Sequence, residues 1–229
     1  MADKKLARTF IAAAILALGA PVTHAEEREW LPYKKFVDML SLDKFYAVDA
    51  KQRDHLRALT RLQPENTAIK PEDIVLTVVH AGNRDRLSIS HDGYLELAPN
   101  PAWIREDAVI YTNMPKGEKA KISMTFASRT PDTLQLSYGE LATSVGQWNA
   151  VIKEQAGVMR FMLPHFNALD IHFAKPAGQT LQVLSKDGAK TYTADAKGEL
   201  KLKISDDLMR SNPQVIFSEK PALMEVDEI

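Results

Sequence analysis

The chain has no cysteine. That excludes disulfides, thiol nucleophiles and cysteine-ligated metal, so the fold must stand on its packed core alone. It also excludes the lipid-bearing cysteine that anchors a bacterial lipoprotein. A long apolar run is missing as well: the only candidate, Phe10 to Ala20, falls well short of the roughly 20 residues a membrane-spanning helix needs. No His-Glu-x-x-His helix, Gly-x-Ser-x-Gly elbow, phosphate-cradling Gly-x-x-x-x-Gly-Lys or Gly-x-Gly-x-x-Gly turn occurs, so no familiar catalytic or cofactor-binding pattern is present. There is no surplus of positive charge. Lys and Arg number 29 against 30 Asp and Glu, and the densest basic stretch, Lys116 to Lys121, is interrupted by Glu118 and reads as a solvated hairpin. Nucleic acid, which needs clustered cations, is not an expected partner.

What is present begins with an address. Lys4, Lys5 and Arg8 precede the apolar run, and Thr23-His24-Ala25 supplies a small-x-small end, the three zones of a cleavable secretory signal peptide. Cleavage is expected after Ala25, leaving a soluble periplasmic protein without a transmembrane span. The remaining chain, near neutral and 45% apolar overall, is long enough for one sizeable core or two small ones.

Most of it alternates with period two, the signature of half-buried strands. Ile122, Met124 and Phe126 alternate with polar neighbours, and Leu134 and Leu136 resume the pattern beyond Thr130-Pro131-Asp132, which predicts a hairpin. Leu200, Leu202 and Ile204 form another one-face-wet strand. Further strands are expected at 74–79, 86–90, 94–97, 109–112, 168–173, 180–184, 191–194 and 215–218. Helical spacing is confined to Tyr33–Leu40 and to the stripe Leu141, Val145, Trp148, Ile152 and Ala156, with Gly157 as its stop. The predicted fold is mainly β, antiparallel and sandwich-like with one amphipathic helix. Its organisation is a β-rich unit over 26–137 with a short leading helix, the amphipathic helix over 138–157, and a second sandwich-like unit over 158–229.

Two stretches echo each other. Gly93-Tyr-Leu-Glu-Leu97 is followed by Val109-Ile-Tyr-Thr112 and Pro115, while Gly198-Glu-Leu-Lys-Leu202 is followed by Val215-Ile-Phe-Ser218 and Pro221. The shared order of tight turn, strand, crossing segment, strand and proline suggests tandem β modules. At these stretches the chain resembles secreted proteobacterial proteins of an uncharacterised family, a domain of unknown function. The resemblance implies a periplasmic β-rich fold and carries over no functional residue.

Few residues suggest chemistry. In a strand, Asp170 and His172 share one face and are only weak candidates for metal, since His165, His80 or His91 would have to supply a third ligand; the pair reads first as the wet face of a strand. Ser41-Leu-Asp-Lys44 matches a serine-x-x-lysine, but its usual companion motifs are missing. Glu106-Asp107, Asp206-Asp207 and Glu225 to Glu228 read as exposed turns or tails, with Asp206 capping a short turn. Asn83-Arg84-Asp85-Arg86 reads as a loop whose arginines could clamp an anion, and Tyr94 with Trp103 as a binding ledge. Tyr94, Trp103, Arg84 and Arg86 are thus the candidate binding residues, with no catalytic residue and no cofactor. The expected function is binding or accessory work in the envelope, engaging a protein or polymer. A hydrolase assembled from residues distant in sequence is the alternative.

Overall fold

A computed structural model describes residues 27–155 and 165–229; the expected signal peptide and the Gly157 stop lie outside the described residues. Fourteen strands form three antiparallel sheets among them, so the chain is mainly β as its alternation predicts. The first half runs β1 (Arg28–Pro32), α1 (Tyr33–Met39), α2 (Leu42–Ala47), β2 (Leu56–Pro64), β3 (Leu76–His80), β4 (Asn83–Leu87), β5 (Tyr94–Glu96), α3 (Pro101–Arg105), β6 (Val109–Thr112) and β7 (Ala120–Ser128). The second runs β8 (Gln135–Ser137), α4 (Tyr138–Gln155), β9 (Ala168–His172), β10 (Thr180–Ser185), β11 (Gly188–Thr193), β12 (Glu199–Lys203), α5 (Asp206–Ser211), β13 (Gln214–Phe217) and β14 (Leu223–Asp227).

The two halves are topological copies. One four-stranded sheet has the order β1-β6-β3-β4 and the other β8-β13-β10-β11, while the six-stranded sheet reads β12-β9-β14-β7-β2-β5, the same sequence of roles from either end. β7 and β14 meet at its centre, with Ala127 opposite Glu225. Helix α1 with α2 in one half corresponds to α4 in the other; Ser41, in the left-handed region at φ 51, breaks the first into two.

Local chemistry repeats as well. Tyr33 and Tyr138, each opening the helix after the first strand of its half, are fully buried. The Tyr33 hydroxyl accepts a hydrogen bond from the Asn100 amide at 2.9 Å and that of Tyr138 from the Ser205 amide at 3.0 Å. Asn100 and Ser205 are in turn the caps of α3 and α5, their side chains accepting amide hydrogens of the first turn. The α5 cap is therefore Ser205 and not Asp206, because the hydroxyl just outside the helix reaches the orphan Leu208 N–H. Gly93 and Gly198 occupy equivalent turns at φ +82 and +83, where an added Cβ would lie 2.5 Å from the Leu62 carbonyl and 2.6 Å from the Lys175 carbonyl. Only glycine permits that approach.

Three local expectations need correction. β7 and β8 do not form a hairpin: β8 pairs with β13, and β7 with β2 and β14. The turn-rich segment between them carries the chain from one sheet to another, which alternation alone does not reveal. Lys116-Gly117 likewise links β6 to β7 in different sheets. Finally, Asn83–Arg86 is strand β4, paired with β3, because opposite-facing polar residues suit an edge strand. Helix α4 lies across β2, β7, β14 and β9, burying Leu141 and Val145 as the stripe predicts, together with Tyr138, Ala142 and Val151. Trp148 is half-buried, stacked on Phe126 at 3.5 Å between ring centroids.

Candidate functional site

α4 covers one face of the six-stranded sheet. On the opposite face alternation brings out Arg57, Leu59 and Arg61 of β2, Thr125 of β7, Glu225 of β14, Asp170 and His172 of β9, Tyr94 of β5 and Glu199 of β12. The register makes these positions correspond in pairs. Arg61 opposite Tyr94 in the first half has the place of His172 opposite Glu199 in the second, and Thr125 that of Glu225. The same framework thus carries different chemistry in its two halves. Between them lies a groove of about 580 Å³. Its lining includes Arg61, Tyr94, His172, Lys197, Glu225 and Leu223, with Leu59, 2% exposed, on the floor.

His172 is the electrostatic centre of the second half. Its Nε2 lies 3.1 Å from Glu225 Oε2 and 3.8 Å from Asp170 Oδ1, and its Nδ1 4.0 Å from Glu199 Oε1. Nε2 is buried and not aligned for a hydrogen bond to any of them, so these are charge contacts. Glu225 above all, then Asp170 and Glu199, hold the imidazole pKa above its ordinary value, and burial opposes them. Reciprocally, His172 holds the Glu225 carboxyl below its ordinary value, assisted by the Thr125 hydroxyl that donates to Oε1 at 2.9 Å. Burial pushes the Asp170 carboxyl up. Glu225, Asp170 and Glu199 in this way all face one imidazolium, while Asp92, also in the groove lining, has no ion-pair partner among the described residues. Arg57 pairs with Glu96 at 2.9 Å. Arg61, by contrast, lies over the Tyr94 ring, 5.5 Å from its centroid, and neither it nor Lys197 has an ion-pair partner among the described residues.

The sequence candidates divide between two places. Tyr94 lines the groove, its hydroxyl 3.5 Å from Glu225 Oε1, and Asp170 with His172 share the outward face of β9 as expected. Trp103, Arg84 and Arg86 do not join them. Trp103, half-buried on α3, packs edge-on against Tyr33 at 5.2 Å and beside His80 at 5.4 Å; Arg84 pairs with Glu27 and lies over the Tyr111 ring; Arg86 is exposed on β4. A Tyr94–Trp103 ledge is therefore not formed, since the first belongs to the central sheet and the second to the helix capping a flanking sheet. His80 there bridges two carboxylates, Glu106 at Nδ1 and Asp85 at Nε2, both at 2.6 Å, an arrangement that requires both ring nitrogens to carry hydrogen. Asp85 and Glu106 raise its pKa accordingly. In the second half Ser185, Lys190 and Ser211 stand at the equivalent positions, so this clamp has no counterpart.

Sequence reasoning missed Arg57, Arg61 and Glu225. Glu225 read as part of an acidic tail, whereas it is the outward residue of β14 between buried Met224 and Val226. The signal that could have found it is that alternation, and the signal for the whole platform is spacing. Leu31 and Leu136, Tyr33 and Tyr138, Leu76 and Leu181, Val78 and Val183, and Leu95 and Leu200 are each separated by the 105 positions that part Gly93 from Gly198.

Among the described residues no helix is long and apolar enough to cross a membrane, and no group of three or more His, Asp or Glu is placed to hold a metal ion. Ser41 lies at the break between α1 and α2 and Lys44 within α2, both away from the groove lining. No curated protein and no solved structure matches the chain. A family match spans residues 27–173, the entire first repeat with β8, α4 and β9 of the second, and by it the chain belongs to the family described as Protein of unknown function (DUF2987).

Proposed function

We propose that this protein is an exported binding or accessory module of the cell envelope that engages a partner protein or an envelope polymer through the groove on the open face of its central sheet. The observation that supports this reading is the groove itself. Both repeats contribute to it, its floor is apolar and its rim is charged, and the helix that would cover a sheet face lies on the other side. Such a concave mixture of apolar contact and a few directed polar groups is what binding sites are made of. The charge, apolar run and small residues at the start of the chain support export.

A hydrolase has one observation in its favour, the His172–Glu225 pair, since coupled imidazole and carboxylate can move protons. The Thr125 hydroxyl donates to Glu225, whose carboxyl His172 holds below its ordinary value, which makes it a poor base for activating that hydroxyl.

Site-specific photo-crosslinking in the exporting cell tests the binding reading. A crosslinker placed at Ala222, an exposed groove position, is expected to capture a discrete partner, while one at Lys153 on the outer side of α4 is not. Capture from Thr191 on the exposed edge strand β11 instead would move binding to strand addition and overturn the groove assignment.

A further inference from the structure

We infer that strand β11 is an edge at which two copies of this chain join, as antiparallel strands about a two-fold axis at Thr191, so that the outer sheet of the second repeat continues from one molecule into the other. The inference is independent of the groove, to whose lining β11 contributes no residue.

The backbone decides which groups are free. β11 ends its sheet, with β10 on one side and no strand on the other among the described residues, and all its residues except Tyr192 are exposed. Just past it the Ala194 N–H donates to the Gln179 carbonyl at 2.9 Å. Bonded and free positions alternate along an antiparallel ladder, so Ala189, Thr191 and Thr193 turn their N–H and C=O away from β10. Lys190 and Tyr192, opposite buried Val183 and Leu181, lie on the core side of the sheet.

Native proteins protect such an edge with charge, and the first repeat does so. β4 is its equivalent edge strand, with Arg84 and Arg86 where the second repeat has Ala189 and Thr191. Two β4 strands paired about Arg86 would oppose like charges at the axis. In β11 the charges are gone and a β-forming, neutral threonine takes their place.

The register selects a second copy as the occupant. A two-fold axis normal to the sheet keeps the core-side faces together and leaves only the centre to be chosen. A centre at Lys190 sets two ammonium groups opposite each other, and one at Ala189 or Tyr192 leaves free positions unpaired. A centre at Thr191 uses all three. It places Ala189 opposite the partner's Thr193 and Thr191 opposite the partner's Thr191, each pair exchanging both hydrogen bonds. It also sets Lys190 opposite the partner's Tyr192, the kind of ring its ammonium already overlies at 4.8 Å within one chain. One strand is thus its own complement, as a two-fold contact requires.

The test uses the processed full-length protein. Sedimentation velocity from about 1 to 500 µM is expected to show a reversible monomer–dimer equilibrium, micromolar because an edge contact is smaller than a standard interface. Thr191→Arg, which gives β11 the charge that β4 carries, should weaken the dimer about fivefold or more, with melting unchanged because Thr191 is exposed. Since the chain has no cysteine, an introduced thiol reports a single contact. Thr191→Cys sets two thiols on the axis, about 5.5 Å apart at Cα and within disulfide reach. It should form a covalent dimer about tenfold faster than Thr193→Cys, whose thiol faces Ala189. A protein monomeric over the whole range would overturn the inference, as would a dimer indifferent to Thr191→Arg with equal crosslinking at both thiols. Assemblies growing beyond two copies would show β11 joined to a different edge and overturn it too. A crosslinker at Thr191 should capture a doubled chain, which bears on the dimer alone; capture of a different protein there would overturn both this inference and the groove assignment.

Discussion

At the scale of single residues the informative groups are two histidines held by carboxylates. For His172 the folded-state pKa lies above its ordinary value near 6.5, so its contribution to stability is complete below that value and is lost as pH rises through the folded pKa. Glu225 is opposite in sign: its contribution is complete above its ordinary value near 4.5 and is lost as pH falls through its lowered folded pKa. The pair is therefore fully effective between about pH 4.5 and 6.5. Asp170, pushed up by burial, opposes folding once the unfolded carboxyl ionises. His80, raised by Asp85 and Glu106, adds to the alkaline loss. Denaturation midpoints measured from pH 5 to 9 should fall on the alkaline side for the wild type. His172→Gln should lower stability at pH 5–6 and make that fall shallower, with His80→Gln removing most of the remainder. An unchanged slope in His172→Gln would mean that the imidazole is not held charged by its neighbours.

At the scale of elements, the equivalent turns before β5 and β12 carry the clearest demand on sequence. Gly93→Ala and Gly198→Ala each combine a left-handed backbone with a Cβ against a carbonyl oxygen, whereas Gly82, at φ +83, has open space around it. Strain at a positive φ alone costs on the order of 1 kcal/mol, and a clash with backbone adds to it. Gly93→Ala and Gly198→Ala should therefore each lose about 2–4 kcal/mol by chemical denaturation, and Gly82→Ala about 1 kcal/mol. Equal losses at all three would refute the packing argument. These glycines also mark how far the sequence could be read. Period-two runs such as Leu200 to Ile204 and Val109 to Thr112 place their strands because one face is wet and the other buried. β2 escaped because its outward Leu59 is as buried as its inward neighbours, which erases the alternation, and β1 is too short and irregular to show it. The echo between Gly93–Pro115 and Gly198–Pro221 was legible because tight turns restrict sequence. The site was not legible: its residues come from β2, β5, β9, β12 and β14, and nothing local tells Glu225 that it will face His172.

The whole molecule raises the question whether two topological copies make two independent bodies. Each repeat has its own four-stranded sheet, yet the central sheet runs without interruption from β12 to β5, and one cluster of buried side chains extends from Tyr33 to Val226. Helix α4 of the second repeat is docked onto the first. Trp148 stacks on Phe126 of β7, Gln147 accepts the His55 amide at 3.0 Å and donates to Asp54 at 2.6 Å, and Gln155 donates to the Lys44 carbonyl at 2.8 Å. Contacts of this kind couple the folding of the halves, because neither can open without exposing the other's apolar surface. Unfolding should accordingly be one transition, coincident by far-ultraviolet circular dichroism and tryptophan fluorescence, with equal calorimetric and van't Hoff enthalpies. Trp148→Ala removes the stack at the junction and should lower the whole transition by about 2–3 kcal/mol, less than a fully buried tryptophan would lose because the indole is half-exposed. The decisive observation is how the loss is distributed. A single transition that moves as a unit makes the groove between the repeats a rigid platform, whereas a second transition emerging in Trp148→Ala would show the halves folding separately and the groove free to change shape.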